Sequence, residues 1–381
     1  MRAEPLDDVV RMIRARGAVA QLVVLLHGGV VLDRAFGCRP DALFWTFSAG
    51  KPVTALTVHL LAERGLLDLD EPVAAVWPAF AARGKEAVTV RNVLEHRAGF
   101  GTLRILGDAV VLGDRERATA RVAAAPLVRA PGTAAGYSPI AAGFVLGEVI
   151  RRVTGRPERD VVRELILDPT GMHDTHLGLP GRLLPRAVPV HGSSWGGRIV
   201  AARVNRPDVR RAVVPSAGLS ATARDLAALY RMLLDGGSAG GRRVLAATTV
   251  AAALAPSGDD GFDRVARYPI RWSAGFQLGG PRAVPGTVSP MGAASSPRAF
   301  GHNGSNCCIA WADPDRDLVV VHLTNRIGRP LPDLRYHAAV ADRILAAVHS
   351  EGASDRADDP LRGGGAKGRG ASGSIGPVEE S

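Results

Sequence analysis

The sequence predicts an α+β fold in which strands from both ends of the chain form one sheet around a mostly helical inserted region. Three observations carry that expectation. Near the N-terminus two apolar runs, Ala18–Leu26 and Val30–Phe36, flank His27-Gly28-Gly29, the pattern of a β-hairpin. Near the C-terminus two more, Cys307–Trp311 and Leu318–Thr324, flank Asp313-Pro314-Asp315-Arg316, a strong turn signal. Between them the apolar residues fall at helical rather than alternating spacing.

The elements follow in chain order. An amphipathic helix is expected over Leu6–Arg16, ahead of the hairpin. From Ser48 to Arg64, Val53, Leu56 and Leu60 recur at three- and four-residue steps, a helix stopped by Gly65. Leu66–Val73 reads as a turn into the helical middle, where Ala141–Val153 and Glu158–Leu167 are helical candidates. Pro169-Thr170-Gly171 ends the second of these, and Ala221–Asp235 forms another that stops at Gly236-Gly237. A last helix is expected over Leu334–Val348. Beyond 350 the chain turns to Gly, Ala, Ser, Asp and Arg, so 1–350 reads as the folded domain and 351–381 as a disordered tail.

Composition narrows the function classes. The 381 residues are 46% hydrophobic and 22% charged, enough for a substantial core without staples. The three cysteines, Cys38, Cys307 and Cys308, are an odd number without zinc-ligand spacing, and the adjacent pair reads as small apolar core residues. The longest apolar stretch, Ala18–Leu32, is broken by Gln21, His27 and two glycines, too short and interrupted for a membrane span. Glu4, Asp7 and Asp8 spoil a basic leader, so a cytoplasmic protein is expected. The net charge of +10 comes from 47 basic residues of which only Lys51, Lys85 and Lys367 are lysines. That imbalance reads as the drift of a GC-rich genome, such as an actinobacterium's. The arginines are scattered and aromatics are 5%, so no nucleic-acid partner is expected. His173 and His176 lie in a loop without metal-ligand spacing, and no metal or other cofactor is expected.

The sharpest chemical signal is Ser48-Ala49-Gly50-Lys51 at the start of a helix. Residues three apart on a helix share a face, so the Ser48 hydroxyl and Lys51 amine can meet. A lysine whose pKa is lowered by burial can take the proton that makes a serine hydroxyl nucleophilic. The alternative is that Ser48 merely caps the helix. A competing nucleophile is Ser194 in Gly192-Ser193-Ser194-Trp195-Gly196, a Gly-x-Ser-x-Gly pattern. That pattern needs a strand before and a helix after it, whereas Arg198-Ile199-Val200 reads as loop and strand.

These segments resemble the class C β-lactamase-like serine hydrolases, a family that includes penicillin-binding D-alanyl-D-alanine peptidases and family VIII carboxylesterases. The resemblance spans about 17 to 348. Ser48–Lys51 looks like the first motif, followed by Leu66–Val73 and by Val90–Gly99, similar to the family's T-V-R-x-L-L-x-H-x-S-G segment. Tyr137-Ser138-Pro139 stands where the Tyr-x-Asn motif belongs, and Pro215–Thr222 is similar to P-x-G-G-L-x-S-T. Gly301-His302-Asn303-Gly304 and Trp311–Pro314 resemble the third motif and the strand behind it.

The resemblance implies a β-lactamase/penicillin-binding-protein-like fold, an antiparallel sheet flanked by helices. The sheet region would span about 1–70 and 210–350, with the helical insertion at about 71–209. It implies that Ser48 is acylated, that Lys51 accepts its proton, and that Tyr137, as phenol or phenolate, shares the base role. The N–H groups of Ser48 and Ser305, beside Gly304, would form the oxyanion hole. His302 stands where many members carry Lys and would hold a substrate carboxylate only while protonated. Pro139 replaces the Asn whose amide reaches an amide substrate. Both departures favour a small-molecule ester as substrate. The alternatives are an acyltransferase in natural-product assembly, a β-lactamase or D-Ala-D-Ala peptidase, and a catalytically dead binding protein, the last disfavoured because Ser48, Lys51 and Tyr137 are all present. Nothing in the sequence marks an oligomeric state.

Overall fold

The computed structural model describes residues 6–101, 112–258, 261–281, 284 and 286–357, with side chains to 349. Seven strands form an antiparallel sheet: β1 (Ala20–Leu26), β2 (Gly29–Phe36), β3 (Arg271–Trp272), β4 (Gln277–Leu278), β5 (Phe300–Gly304), β6 (Cys308–Asp313) and β7 (Leu318–Thr324). Their order is β3-β4-β5-β6-β7-β1-β2, so the two ends of the chain meet where β7 pairs with β1. The β1–β2 turn has positive φ at both His27 (+49°) and Gly28 (+75°), the twist-matched two-residue hairpin.

Helices cover both faces, which is why β7 is buried along its whole length. Alternate residues divide between two cores, as the period of two requires. Val319, Val321 and Leu323 join the larger core, with α2 (Lys51–Glu63), α3 (Ala141–Thr154) and α4 (Ala223–Leu234). Leu318 and Val320 join the smaller core, with α1 (Asp7–Arg16) and α5 (Pro330–Ala357). No helix among the described residues is long and apolar enough to cross a membrane.

Several expected boundaries move for local reasons. The expected helix from Ala221 begins at Ala223, because Leu219–Ala221 is the middle strand of a small sheet between Phe44–Trp45 and His176–Leu177. Thr222 then caps α4 by accepting from Asp225 N–H. Glu158–Leu167 starts as an α-helix and widens to π geometry from Arg163. Trp195–Val204 is a helix, correcting the loop and strand expected at 198–200; Ser194 caps it, accepting from Gly197 N–H at 3.0 Å. The last helix continues to Ala357, past the boundary read at 350, and the rest of the expected tail, 358–381, lies outside the described residues.

Candidate active site

Ser48 lies in a 3-10 turn, Phe47–Gly50, that runs directly into α2. The turn is entered through Phe47 at φ +51°, a conformation that costs a bulky residue on the order of 1–3 kcal/mol and that its burial in the larger core sustains. The tip of the β5–β6 hairpin presses against this turn. A side chain at Gly304 would meet Thr46 O at 2.1 Å and Ala49 N at 3.0 Å, so only glycine permits the approach. Ser305 follows at the exposed tip, at φ +49°.

Two polar groups converge on the Ser48 hydroxyl. Lys51 Nζ donates to Ser48 Oγ at 3.0 Å, and the Tyr137 hydroxyl donates to the same oxygen at 2.6 Å. Lys51 Nζ also donates to Pro139 O at 2.7 Å and Ser216 O at 2.8 Å. The expected side-chain amide is absent at 139, yet the main chain there still holds the lysine. Gly143 makes this possible: any Cβ would strike Ser216 Oγ at 2.1 Å, so its bareness lets the start of α3 close on Ser216. Ser216 Oγ in turn accepts from Gly143 N–H and donates to Ile140 O.

Burial sets the protonation states. It pulls the Lys51 amine down to about 7, with no carboxylate contributing. A cavity of about 20 Å³ beside the amine, lined by Ala55, Val93, Leu94, Ala142 and Leu146, shows how apolar that side is. Burial drives the Tyr137 phenol well above its ordinary value, so it stays protonated at neutral pH and donates rather than acting as phenolate. His302 is 1% exposed, its Nδ1 sits 2.9 Å from its own strand at Asn303 O, and burial, then the Lys51 charge, lowers it to about 3. Burial thus favours the neutral imidazole over the protonated form that the expected carboxylate clamp needs, and His302 packs at 6.2 Å, centroid to centroid, from the Tyr137 ring.

Sequence reasoning missed the scaffold around Tyr137. Trp272 stacks on the phenol at 5.4 Å and 9°, and His96 meets both rings edge-on at 4.9 and 4.5 Å. The buried Asp263 carboxylate ties them together, accepting from Tyr137 N–H at 2.7 Å and Trp272 Nε1–H at 3.0 Å. Its other oxygen accepts from the N–H groups of Val265 and Ala266. His96 lies in the Val90–Gly99 segment, which could have pointed to it; Asp263 carries no such signal.

The remaining candidates stand apart. Ser194 Oγ donates to Gly328 O at 3.0 Å and caps a helix by accepting from Gly197 N–H, and among the described residues no basic side chain is bonded to it. The cysteines are free thiols, Cys307 and Cys308 fully buried. His176 is held by Arg163, and no group of three or more metal-ligating side chains occurs among the described residues.

A serine, a lysine of lowered pKa and a tyrosine hydroxyl, set between a helix start and a sheet edge, define a serine hydrolase of the penicillin-binding-protein type. The chain belongs to the β-lactamase family, whose model, described as "Beta-lactamase", matches residues 6–343. It is 31% identical over 352 residues to Esterase/beta-lactamase LipL of Mycobacterium tuberculosis, covering 81% of this chain and 77% of LipL. A penicillin-binding protein homolog from Caulobacter crescentus superposes with a TM-score of 0.76 at 30% identity, over 91% of this chain and 98% of its own. A family VIII carboxylesterase superposes with a TM-score of 0.73 at 27% identity, over 89% and 97% of the two chains.

Proposed function

We propose that the protein hydrolyses small-molecule carboxylic esters through an acyl-Ser48 intermediate. The observation that carries this reading is one oxygen, Ser48 Oγ, within 3.0 Å of the Lys51 amine and 2.6 Å of the Tyr137 hydroxyl. Neutral Lys51 takes the Ser48 proton as Oγ attacks the ester carbonyl carbon. The N–H groups of Ser48 and Ser305, on the two segments that meet at Gly304, receive the developing oxyanion. When the tetrahedral intermediate collapses, the ester C–O bond breaks and the proton passes from Lys51 through the Tyr137 hydroxyl to the leaving alkoxide. Water then attacks the acyl carbon, and the same groups return a proton to Ser48 Oγ as the carboxylic acid departs.

The ester class is supported by two side chains. Pro139 offers no side-chain amide to a peptide-like substrate, and neutral His302 offers no cation to a β-lactam carboxylate. The names of LipL and of the family VIII carboxylesterase agree with an esterase. A fluorophosphonate probe should add one label, mapped to Ser48. Short-chain p-nitrophenyl esters should exceed nitrocefin in kcat/KM by about a hundredfold, since an unpaired buried polar group costs about 1–3 kcal/mol. Label on another serine would overturn the mechanism, and nitrocefin turnover equal to the best ester would overturn the substrate class.

A further inference from the structure

A second cluster of buried polar groups lies on the small sheet that leads into the nucleophile turn, and the mechanism uses none of it. Ser220 stands opposite both Trp45 and His176 in antiparallel register. Directly opposed residues point to the same side, so the three side chains share one face. The Arg210 guanidinium lies over the Trp45 ring, its Cζ 5.4 Å from the centroid. All four residues are more than nine-tenths buried, and Trp45 Nε1, Ser220 Oγ, His176 Nε2 and Arg210 Nη1 each have no hydrogen-bond partner.

Three of these four atoms only donate, and the fourth, a hydroxyl oxygen, can donate as well as accept. Trp45 Nε1 and Arg210 Nη1 can only donate. His176 Nδ1 lies 2.8 Å from Arg163 Nη2, and a guanidinium has no acceptor, so the imidazole proton must sit on Nε2. His176 Nε2 is therefore a third donor, and the Ser220 hydroxyl supplies a fourth. Arg210 adds a full positive charge. Its Nη2 is occupied by Val188 O and Asn205 Oδ1, both uncharged, and no carboxylate pairs with it among the described residues. Arg16 and Arg115, by contrast, reach Asp333, Glu148 and Glu158. A buried cation without a counter-charge is costly, and a guanidinium keeps its proton at neutral pH.

We propose that a compact monovalent anion of the halide type, chloride in the cell, binds among Arg210, Trp45, Ser220 and His176. A halide accepts from all four donors and neutralises the guanidinium, whereas a water carries no counter-charge and would find only the Ser220 oxygen to receive its two hydrogens. Trp45 lies three residues before Ser48, so the ion would pin the segment that delivers the nucleophile. This site is independent of the ester reading.

Two measurements on the full chain test it. Thermal unfolding is followed as sodium chloride or bromide replaces sodium gluconate at constant ionic strength, up to about 0.2 M. Tm should rise saturably by a few degrees, as binding to the folded state alone requires. Crystals soaked in bromide should show an anomalous peak at about 3.2–3.5 Å from Arg210 Nη1 and Trp45 Nε1, in the range of N–H contacts to a large anion. Arg210→Met should abolish the halide response; if it does not fold, Trp45→Phe, which removes one N–H and keeps a ring, should weaken half-saturation several-fold. A bromide map with no peak at Arg210 Nη1 would overturn the proposal whatever the Tm series shows, as would an Arg210→Met variant with the unchanged halide response.

Discussion

Lys51 can serve as a base only in its neutral form, and its burial fixes the pH at which that form appears. An ordinary lysine, near 10.4, is neutral in roughly one molecule in a few thousand at pH 7. With Lys51 lowered to about 7, about half the molecules are neutral there, a gain on the order of a thousandfold in available base. A neutral amine has two N–H bonds and one lone pair. The protonated amine donates to Ser48 Oγ, Pro139 O and Ser216 O; once neutral, it keeps its two N–H bonds on the carbonyls and turns its lone pair to the Ser48 hydroxyl. Below the folded pKa the amine binds a proton and the base is lost, so activity falls as pH falls. For a short-chain p-nitrophenyl ester, kcat/KM should rise about tenfold per pH unit below 7 and level off above about 8, roughly a hundredfold in all from pH 5. Tyr137, held protonated, adds no second limb in this range. Lys51→Ala should remove about a thousandfold of kcat/KM together with the limb itself. A profile flat from about pH 5 to 8, or one still climbing toward 10, would refute the assignment of Lys51 as a base tuned by burial.

Ser194→Ala should keep wild-type ester turnover while lowering stability by about 1 kcal/mol, the usual worth of an N-cap, as read by chemical denaturation. Because His302 stays neutral, KM for an anionic ester and for its neutral isostere should run parallel between about pH 6 and 8. A selective loss of the anionic ester across that window would restore the carboxylate clamp. Asp263→Asn turns an amide NH₂ toward groups that also donate, so Tyr137 and Trp272 should shift. The rate of fluorophosphonate labelling at Ser48 should then fall on the order of a hundredfold, and thermal melts should show destabilisation of about 1–3 kcal/mol per orphaned donor.

What could be read from the residues was what depends on short spacing. Ser48 and Lys51 lie one helical turn apart, so their meeting follows from local geometry, and the His27-Gly28 turn likewise fixes the first hairpin. The α+β architecture followed from where the apolar runs stand. Environment was not legible. The protonation of His302 depends on burial contributed by Trp272, Tyr137 and the whole depth of the sheet edge, none adjacent in sequence. Asp263 is one acid among 37, and its importance exists only because an indole and a main-chain N–H arrive beside it from elsewhere in the chain. The helix after Ser194 was obscured by Gly196 and Gly197, poor helix formers whose cost the serine cap and the burial of Ala201 and Val204 offset.

The hold on Lys51 by carbonyl oxygens has an evolutionary reading. A main-chain carbonyl is present whatever residue occupies the position, so the side chain at 139 can drift without unseating the base, whereas Ser216 also ties down the start of α3 through its hydroxyl. In a scaffold built this way, substrate range and proton transfer become separately heritable traits. Replacing Pro139 with a residue bearing an amide would alter what the pocket recognises while the lysine keeps its partners. One backbone could thus wander between ester and amide chemistries through single substitutions, each intermediate still able to acylate its serine.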